Sequence, residues 1–237
     1  MSKKDQIKIR VLLPALIETP EQKEMTKRCK KSLISLNSDI CIKIQEDNKK
    51  YDTAVAGVWN AFLDEWRGKD YDYLLITAND TEADAQGIDH MVAFAEKYKG
   101  VGMITGKVER DYELFKQEYG KYRWDGESWT LNQPIDPACF LLRKGIIEKV
   151  GRIDEFFPRE FVERDYIKRI KMAGYEVGQP NVVTWFHPSH AGTIGNDGQR
   201  LQRALRRYMY KWGGDADRET FIAPLNDLRL DFTHCIK

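Results

Sequence analysis

Apolar and polar positions along this chain follow two rhythms. Short, dense apolar runs lie at Ile7 to Leu13, Ile40 to Ile44, Tyr73 to Thr77 and Val101 to Thr105. Between them, apolar residues recur at helical spacing from Thr19 to about Leu36, Thr53 to Trp66 and Ile88 to Tyr98. Short runs of this kind predict strands, and spacing by three and four predicts helices. Pro14 stops the first run. Thr19-Pro20 reads as a helix start, because proline fits the first helical position. Tyr73 to Thr77 is apolar throughout, so it is expected to be a central strand.

The resulting β-α-β-α-β-α-β order predicts an α/β fold with a central, mostly parallel sheet and helices on both faces. In such sheets ligands bind beyond the carboxyl ends of the strands. Topology alone therefore points to the loops at Pro14-Ala15-Leu16, Glu46-Asp47-Asn48 and Ala78-Asn79-Asp80-Thr81.

The rhythm changes after about residue 110. Tyr119 to Trp129 predicts a hairpin turning at Asp125-Gly126. Phe140 to Leu142 and Val182 to Phe186 read as strands, and Gly145 to Val150 as a short helix. A helix around Tyr166 to Ala173 is expected to close at Gly174. Leu201 to Trp212 is helical and strongly basic. One domain over residues 1–194 with a helical extension over 195–237 is the simplest division.

Composition narrows the function classes. The chain has 237 residues, is 42% hydrophobic and carries a net charge of +1. Its size suits one sizeable domain. The near-neutral balance gives no global field toward nucleic acid or anionic membrane. No apolar stretch is long enough for a signal peptide or a membrane span. Cys29, Cys41, Cys139 and Cys235 lack metal-type spacing. Reduced thiols and a cytoplasmic location are the expectation.

Acids and imidazoles cluster at element ends in the second half. Glu163-Arg164-Asp165 opens a helix, and His187-Pro-Ser-His190-Ala-Gly-Thr193 follows the last strand. Taken alone, Asn79-Asp80 reads as a turn, and the acids before a helix as a dipole effect. Either set is also suited to metal binding or acid/base work.

The order of these pieces strongly resembles the GT-A domain of the family 2 inverting glycosyltransferases. Carrying the resemblance are Val150-Gly151, Asp154-Glu-Phe-Phe157, Glu163-Arg-Asp165, Ala173-Gly-Tyr175 and His190-Ala-Gly-Thr193. It covers about Ile7 to Thr193, with a nucleotide-binding half over 1–110 and an acceptor half over 111–194. It implies that Pro14 and Ala15 border the base and ribose, that Asp47 contacts the base, and that Asn60 lies near the nucleotide. Asn79 and Asp80 would match the family's Asp-any-Asp element, with Ala78 in place of the first acid. The resemblance implies a divalent cation, Mn²⁺ or Mg²⁺, held by Asp80 and His190, with His187 as the alternate imidazole and Glu82 as a further candidate acid. It places the general base at Glu163 and the motif's last acid at Asp165, with Val162 replacing the preceding acid.

The implied activity is transfer of a sugar from a nucleotide sugar, a UDP-sugar on this reading, to a hydroxyl of a saccharide or other small acceptor. On the basic helix, positions 200, 203 and 207 share a face. Arg203, Arg207 and Trp212 are candidate acceptor or phosphate contacts, against the plainer reading of a solvated basic face. The helix also raises an alternative acceptor, a hydroxymethylated pyrimidine in DNA, whose base would have to leave the stack. Two other classes stand behind these. Sugar nucleotidyltransferases share the fold but usually carry a Gly-rich basic loop after the first strand, which Pro14 to Thr19 lacks. Ala78 and Val162 would also suit a non-catalytic binding module.

Overall fold

Dense apolar runs become strands here and amphipathic segments become helices, as the physics of burial requires. The computed structural model describes residues 6–15, 17, 19–45, 54–131, 138–157, 159–188 and 198–213. The first half contains β1 (Ile7–Pro14), α1 (Pro20–Ser32), β2 (Ser38–Gln45), α2 (Ala54–Trp66), β3 (Tyr73–Thr77), β4 (Glu82–Ala83), α3 (Gly87–Lys97), β5 (Val101–Thr105) and β6 (Lys107–Glu109). The second half contains α4 (Tyr112–Glu118), β7 (Trp129–Leu131), β8 (Cys139–Arg143), α5 (Ile146–Val150), α6 (Val162–Met172), β9 (Glu176–Pro180), β10 (Val183–Phe186) and α7 (Gly198–Trp212).

Seven strands form one sheet in the order β2-β1-β3-β8-β5-β9-β7. Parallel pairing joins β1 to β2 and β3, and β5 to β9. β8 runs antiparallel between β3 and β5, with Thr77 opposite Cys139. The sheet is thus mostly parallel in direction, with β8 and the edge strand β7 reversed. Alternation along each strand divides the core. Leu12, Leu74, Ile76 and Phe140 face α2, α5, α6 and α7. Ile9, Val11, Leu75 and Leu141 face α1 and α3.

A small second sheet, β4-β10-β6, stands beyond the carboxyl end of the main one. The chain passes from β5 into β6 at Gly106, where a Cβ would lie 2.2 Å from the Trp185 ring. Only glycine permits that approach. The expected hairpin at Asp125-Gly126 is absent. Asp125 Oδ1 instead accepts the backbone N–H groups of Glu127 and Ser128, each at 2.8 Å, and β7 pairs with β9. A local Asx-type turn satisfied the sequence signal without a strand before it.

α1 shows why Thr19-Pro20 starts a helix. The Thr19 hydroxyl accepts the Gln22 N–H at 3.3 Å, and the Gln22 side chain accepts the Thr19 N–H at 3.1 Å. This reciprocal capping box satisfies two otherwise orphaned donors.

α7 is built into the core through Ala204, Leu205 and Tyr208. Its end is fastened to α6 by Asp165, whose side chain is 1% exposed. Arg169 Nε donates to one Asp165 oxygen at 3.0 Å. Lys211 Nζ at 2.6 Å and Trp212 Nε1 at 3.0 Å donate to the other. Lys211 also reaches Asp154 at 2.6 Å. Burying a carboxylate is costly unless it is paired and hydrogen-bonded, and here α6 and α7 together meet that requirement.

Lys211→Met should therefore lower the urea midpoint at neutral pH by the equivalent of about 2–4 kcal/mol, since it strips one cation from a buried cluster. The pH dependence follows from Asp154. Burial pushes its carboxyl up, but the hydrogen bond and charge of Lys211 and the Phe156 N–H bring it below the ordinary 3.8. A depressed carboxylate contributes stability above its unfolded value and loses it as pH falls through the folded one. The variant should thus also lose part of the acid-limb destabilisation below about pH 4. An unchanged midpoint would show that the cluster does not fasten α7.

Candidate functional site

The carboxyl end of β3 is held from three sides. Ala78 N–H donates to Ala138 O at 2.7 Å, which continues the β3–β8 ladder past the strand. The Thr81 hydroxyl donates to Ala78 O at 2.8 Å and lies 2.7 Å from the Thr77 hydroxyl. From α1, Thr26 accepts a bond from Asn79 Nδ2 at 3.0 Å. The Cys29 thiol reaches Ala78 O at 3.4 Å. Burial pushes that thiol up to about 12, so it is a neutral donor under the turn. These bonds use the side chain of Asn79 for support. They leave the Asp80 carboxylate, 12% exposed, as the acid presented at the strand end.

Across from Asp80 stands His187, just past β10. Its Nε2 is 3.5 Å from Asp80 Oδ1. The other ring nitrogen, Nδ1, lies 2.9 Å from Arg110 Nη1. The same guanidinium nitrogen donates to His187 O at 3.0 Å and Pro188 O at 3.4 Å. His187 N–H donates to Glu109 O at 3.1 Å. The small sheet thus brings β10 and β6 together so that His187, bonded to Arg110, faces the aspartate just past β3. Arg110 was not among the sequence candidates. Its only signal is its place before Asp111, whose side chain caps α4.

Glu82 does not assist Asp80. Its side chain is 9% exposed and lies between Arg28 Nε at 3.2 Å and Lys116 Nζ at 3.3 Å. Burial lowers the Lys116 ammonium, but Tyr112 and Glu82 outweigh it and raise the group above its ordinary value. Among the described residues no three His, Cys, Asp or Glu side chains gather to hold a metal ion. Asp47 and His190 lie outside the described residues. Pro14 and Ala15 end β1 as expected, with Ala15 N–H donating to Gln45 O at 2.9 Å.

Three further candidates serve the architecture. Asn60 is 1% exposed. Its Nδ2 donates to Ile153 O and Glu155 Oε1, each at 2.9 Å, and its Oδ1 accepts the Ile153 N–H at 2.8 Å. A side chain so committed pins α2 to the 153–155 turn. Arg207 donates to Phe156 O at 3.2 Å with its guanidinium over the Phe156 ring. Trp212 belongs to the Asp165 cluster. Their expected acceptor or phosphate contacts therefore have no support in this geometry, and a DNA-facing arginine stripe loses Arg207. Arg203 is exposed on α7.

Of the two acids at the start of α6, Asp165 is buried and bonded to two cations. Both of its oxygens are taken up by Arg169, Lys211 and Trp212, which tie α6 to α7. Glu163 lies half-buried in the first turn. The residue capping that turn, Phe161, has φ 64° and is 5% exposed. Its ring lies 5.4 Å from that of Tyr208 on α7. A left-handed aromatic residue persists only where its surroundings fix it, so α7 sets the backbone leading into Glu163.

No protein-family model matches the chain, and no curated protein matches it in sequence. Its fold is similar to that of TarS 1–349 from S. aureus, at 10% identity and a TM-score of 0.50, covering 88% of this chain and 74% of that one. The same TarS segment in complex with UDP matches at 11% identity and a TM-score of 0.50, covering 87% and 72%. A mannosyltransferase from Pyrobaculum calidifontis, PcManGT in complex with GDP-Man and Mn²⁺, matches at 12% identity and a TM-score of 0.56. That match covers 87% of this chain, which spans 64% of the length of PcManGT. The chain has the GT-A glycosyltransferase fold, with Asp80 and His187 facing each other at the carboxyl end of its central strand.

Proposed function

We propose that this protein is an inverting glycosyltransferase that moves a sugar from a nucleotide sugar, on our reading a UDP-sugar, to a hydroxyl of a saccharide or other small acceptor. The observation that carries the proposal is Asp80, held at the end of β3 with His187 Nε2 3.5 Å away. The glycosyltransferase complexes with UDP and GDP-Man on the same fold support it.

Fold and site suit a divalent cation bound together with the donor. One carboxylate is a thin protein donor set, but Mg²⁺-type sites often use one or two carboxylates plus substrate phosphates. Asp80 would hold the ion. When bound, it would offset the charge that grows on the departing diphosphate. The chain's own residues do the rest. Glu163 takes the proton of the acceptor hydroxyl, whose oxygen bonds to the anomeric carbon from the face opposite the diphosphate. The bond from that carbon to the diphosphate breaks, and its electron pair leaves with the nucleoside diphosphate. Attack from the opposite face inverts the anomeric centre.

Glu163→Gln keeps the shape of the side chain but removes its basicity. It should lower turnover by roughly 10²–10⁴ while donor binding persists, read as nucleotide release with acceptor present and as calorimetric binding without it. Normal turnover in this variant would exclude Glu163 as the base.

Asp80→Ala should abolish the Mn²⁺-dependent part of UDP or GDP binding and of transfer. The check is a thermal-shift titration of each nucleotide with and without Mn²⁺, beside the chelated protein. If metal strengthens binding equally in wild type and variant, Asp80 is not its ligand.

A further inference from the structure

We infer that the outer edge of β2 is an interface through which two copies of this chain pair, strand against strand, around a two-fold axis at Cys41. Among the described residues β2 ends the seven-stranded sheet, with β1 as its neighbour on one side. Backbone groups of successive residues point to opposite edges of a strand. The Gln45 carbonyl accepts the Ala15 N–H at 2.9 Å, so it faces β1. By alternation Asp39, Cys41 and Lys43 face β1 as well. Ser38, Ile40, Ile42 and Ile44 then turn their N–H and C=O groups outward. An edge of this kind is a template for another strand.

The side chains select the partner. In an antiparallel pair related by a two-fold axis, only residues on the same face of the sheet stand opposite each other. With the axis at Cys41, Asp39 of each copy stands opposite Lys43 of the other. Their side chains are 54% and 42% exposed, within reach of an incoming strand. Each also has an intrachain partner of opposite charge, Arg10 Nη1 at 3.2 Å from Asp39 and Glu65 beside Lys43. The pairing joins Arg10, Asp39, Lys43 and Glu65 into a row of alternating sign at both ends of the strand. On the other face Ile40 stands opposite Ile42, and both pack partly buried on the core. An axis at Ile40 or Ile42 loses these matches, because Asp39 or Lys43 then meets Cys41. A lysine on an edge strand usually discourages pairing. Here the same strand carries the aspartate that meets it, and a two-fold interface requires such self-complementarity. Ile34 and Leu36, exposed in the turn that enters β2, add apolar surface there.

Cys41 marks the register. It is exposed, and its backbone groups face β1, so Cys41 and its copy form a non-hydrogen-bonded pair. The Cα atoms of such a pair lie about 4.5 Å apart, inside the roughly 4.4–6.8 Å span of disulfides.

Sedimentation equilibrium from low to high micromolar protein, under reducing conditions, should show a monomer–dimer equilibrium. Asp39→Lys sets two lysines opposite each other at both ends, and Lys43→Asp does the same with two aspartates. Cross-strand pairs support a loss on the order of tenfold in dimer affinity for each variant. The double variant Asp39→Lys/Lys43→Asp should recover most of it, whereas merely structural damage from the two changes would accumulate. The register is read by cross-linking in a Cys235→Ser background. Diamide should link two chains through Cys41, taking two electrons and two protons from the paired thiols, and Cys41→Ser should abolish the link. A monomer at every concentration would overturn the interface, as would a dimer indifferent to both charge reversals. A dimer that responds to charge but does not link through Cys41 would overturn the register.

Discussion

Everything in the candidate site is placed by one constraint: β3 is buried at all five of its residues and hydrogen-bonded on both sides. A strand in that position cannot slip by one residue without turning its core side chains to the wrong face. The last ladder bond, Ala78 N–H to Ala138 O, carries the rigidity one residue past the strand. The turn from 78 to 81 then starts from a fixed point. The Thr81 hydroxyl and N–H bond the Ala78 carbonyl within the turn, and Thr26 of α1 holds the Asn79 side chain, so the turn's direction follows from the strand's. Asp80 is thus aimed by the core itself. The small sheet answers from the other side, because β4 begins two residues after Asp80 and pairs with β10, which delivers His187.

A second constraint governs the acceptor half, and it is electrostatic. Asp165 lies in the first turn of α6, where the helix dipole favours a negative charge. Full burial demands more than a dipole. Arg169, Lys211 and Trp212 supply it, and two of these come from the far end of α7. The price of that buried charge is a helix locked across the domain. The gain is a defined path into Glu163, since Tyr208 of the same helix packs on the left-handed Phe161. The basic residues of α7 therefore divide by direction. Arg207 and Lys211 work inward, while Arg203 faces solvent.

The hydrophobic pattern made the main strands legible. Tyr73–Thr77 and Val101–Thr105 stand where the apolar runs placed them. Direction was not legible. Cys139–Arg143 is apolar and short, and nothing in such a run says that it enters the sheet reversed between β3 and β5. Short strands such as Glu82–Ala83 and Lys107–Glu109 carry too few residues to show a period. In the site, Asp80 taken alone reads as an ordinary turn residue, and only the order of the pieces around it singled it out. Asn60 misled because an asparagine beside a helical glycine looks the same whether it bonds a ligand or a turn 93 residues away. The inward turn of Asp165, Arg207 and Trp212 was hidden for the same reason. Charge periodicity reports which residues share a face, not what that face meets. Arg110 was invisible because its partner is 77 residues distant.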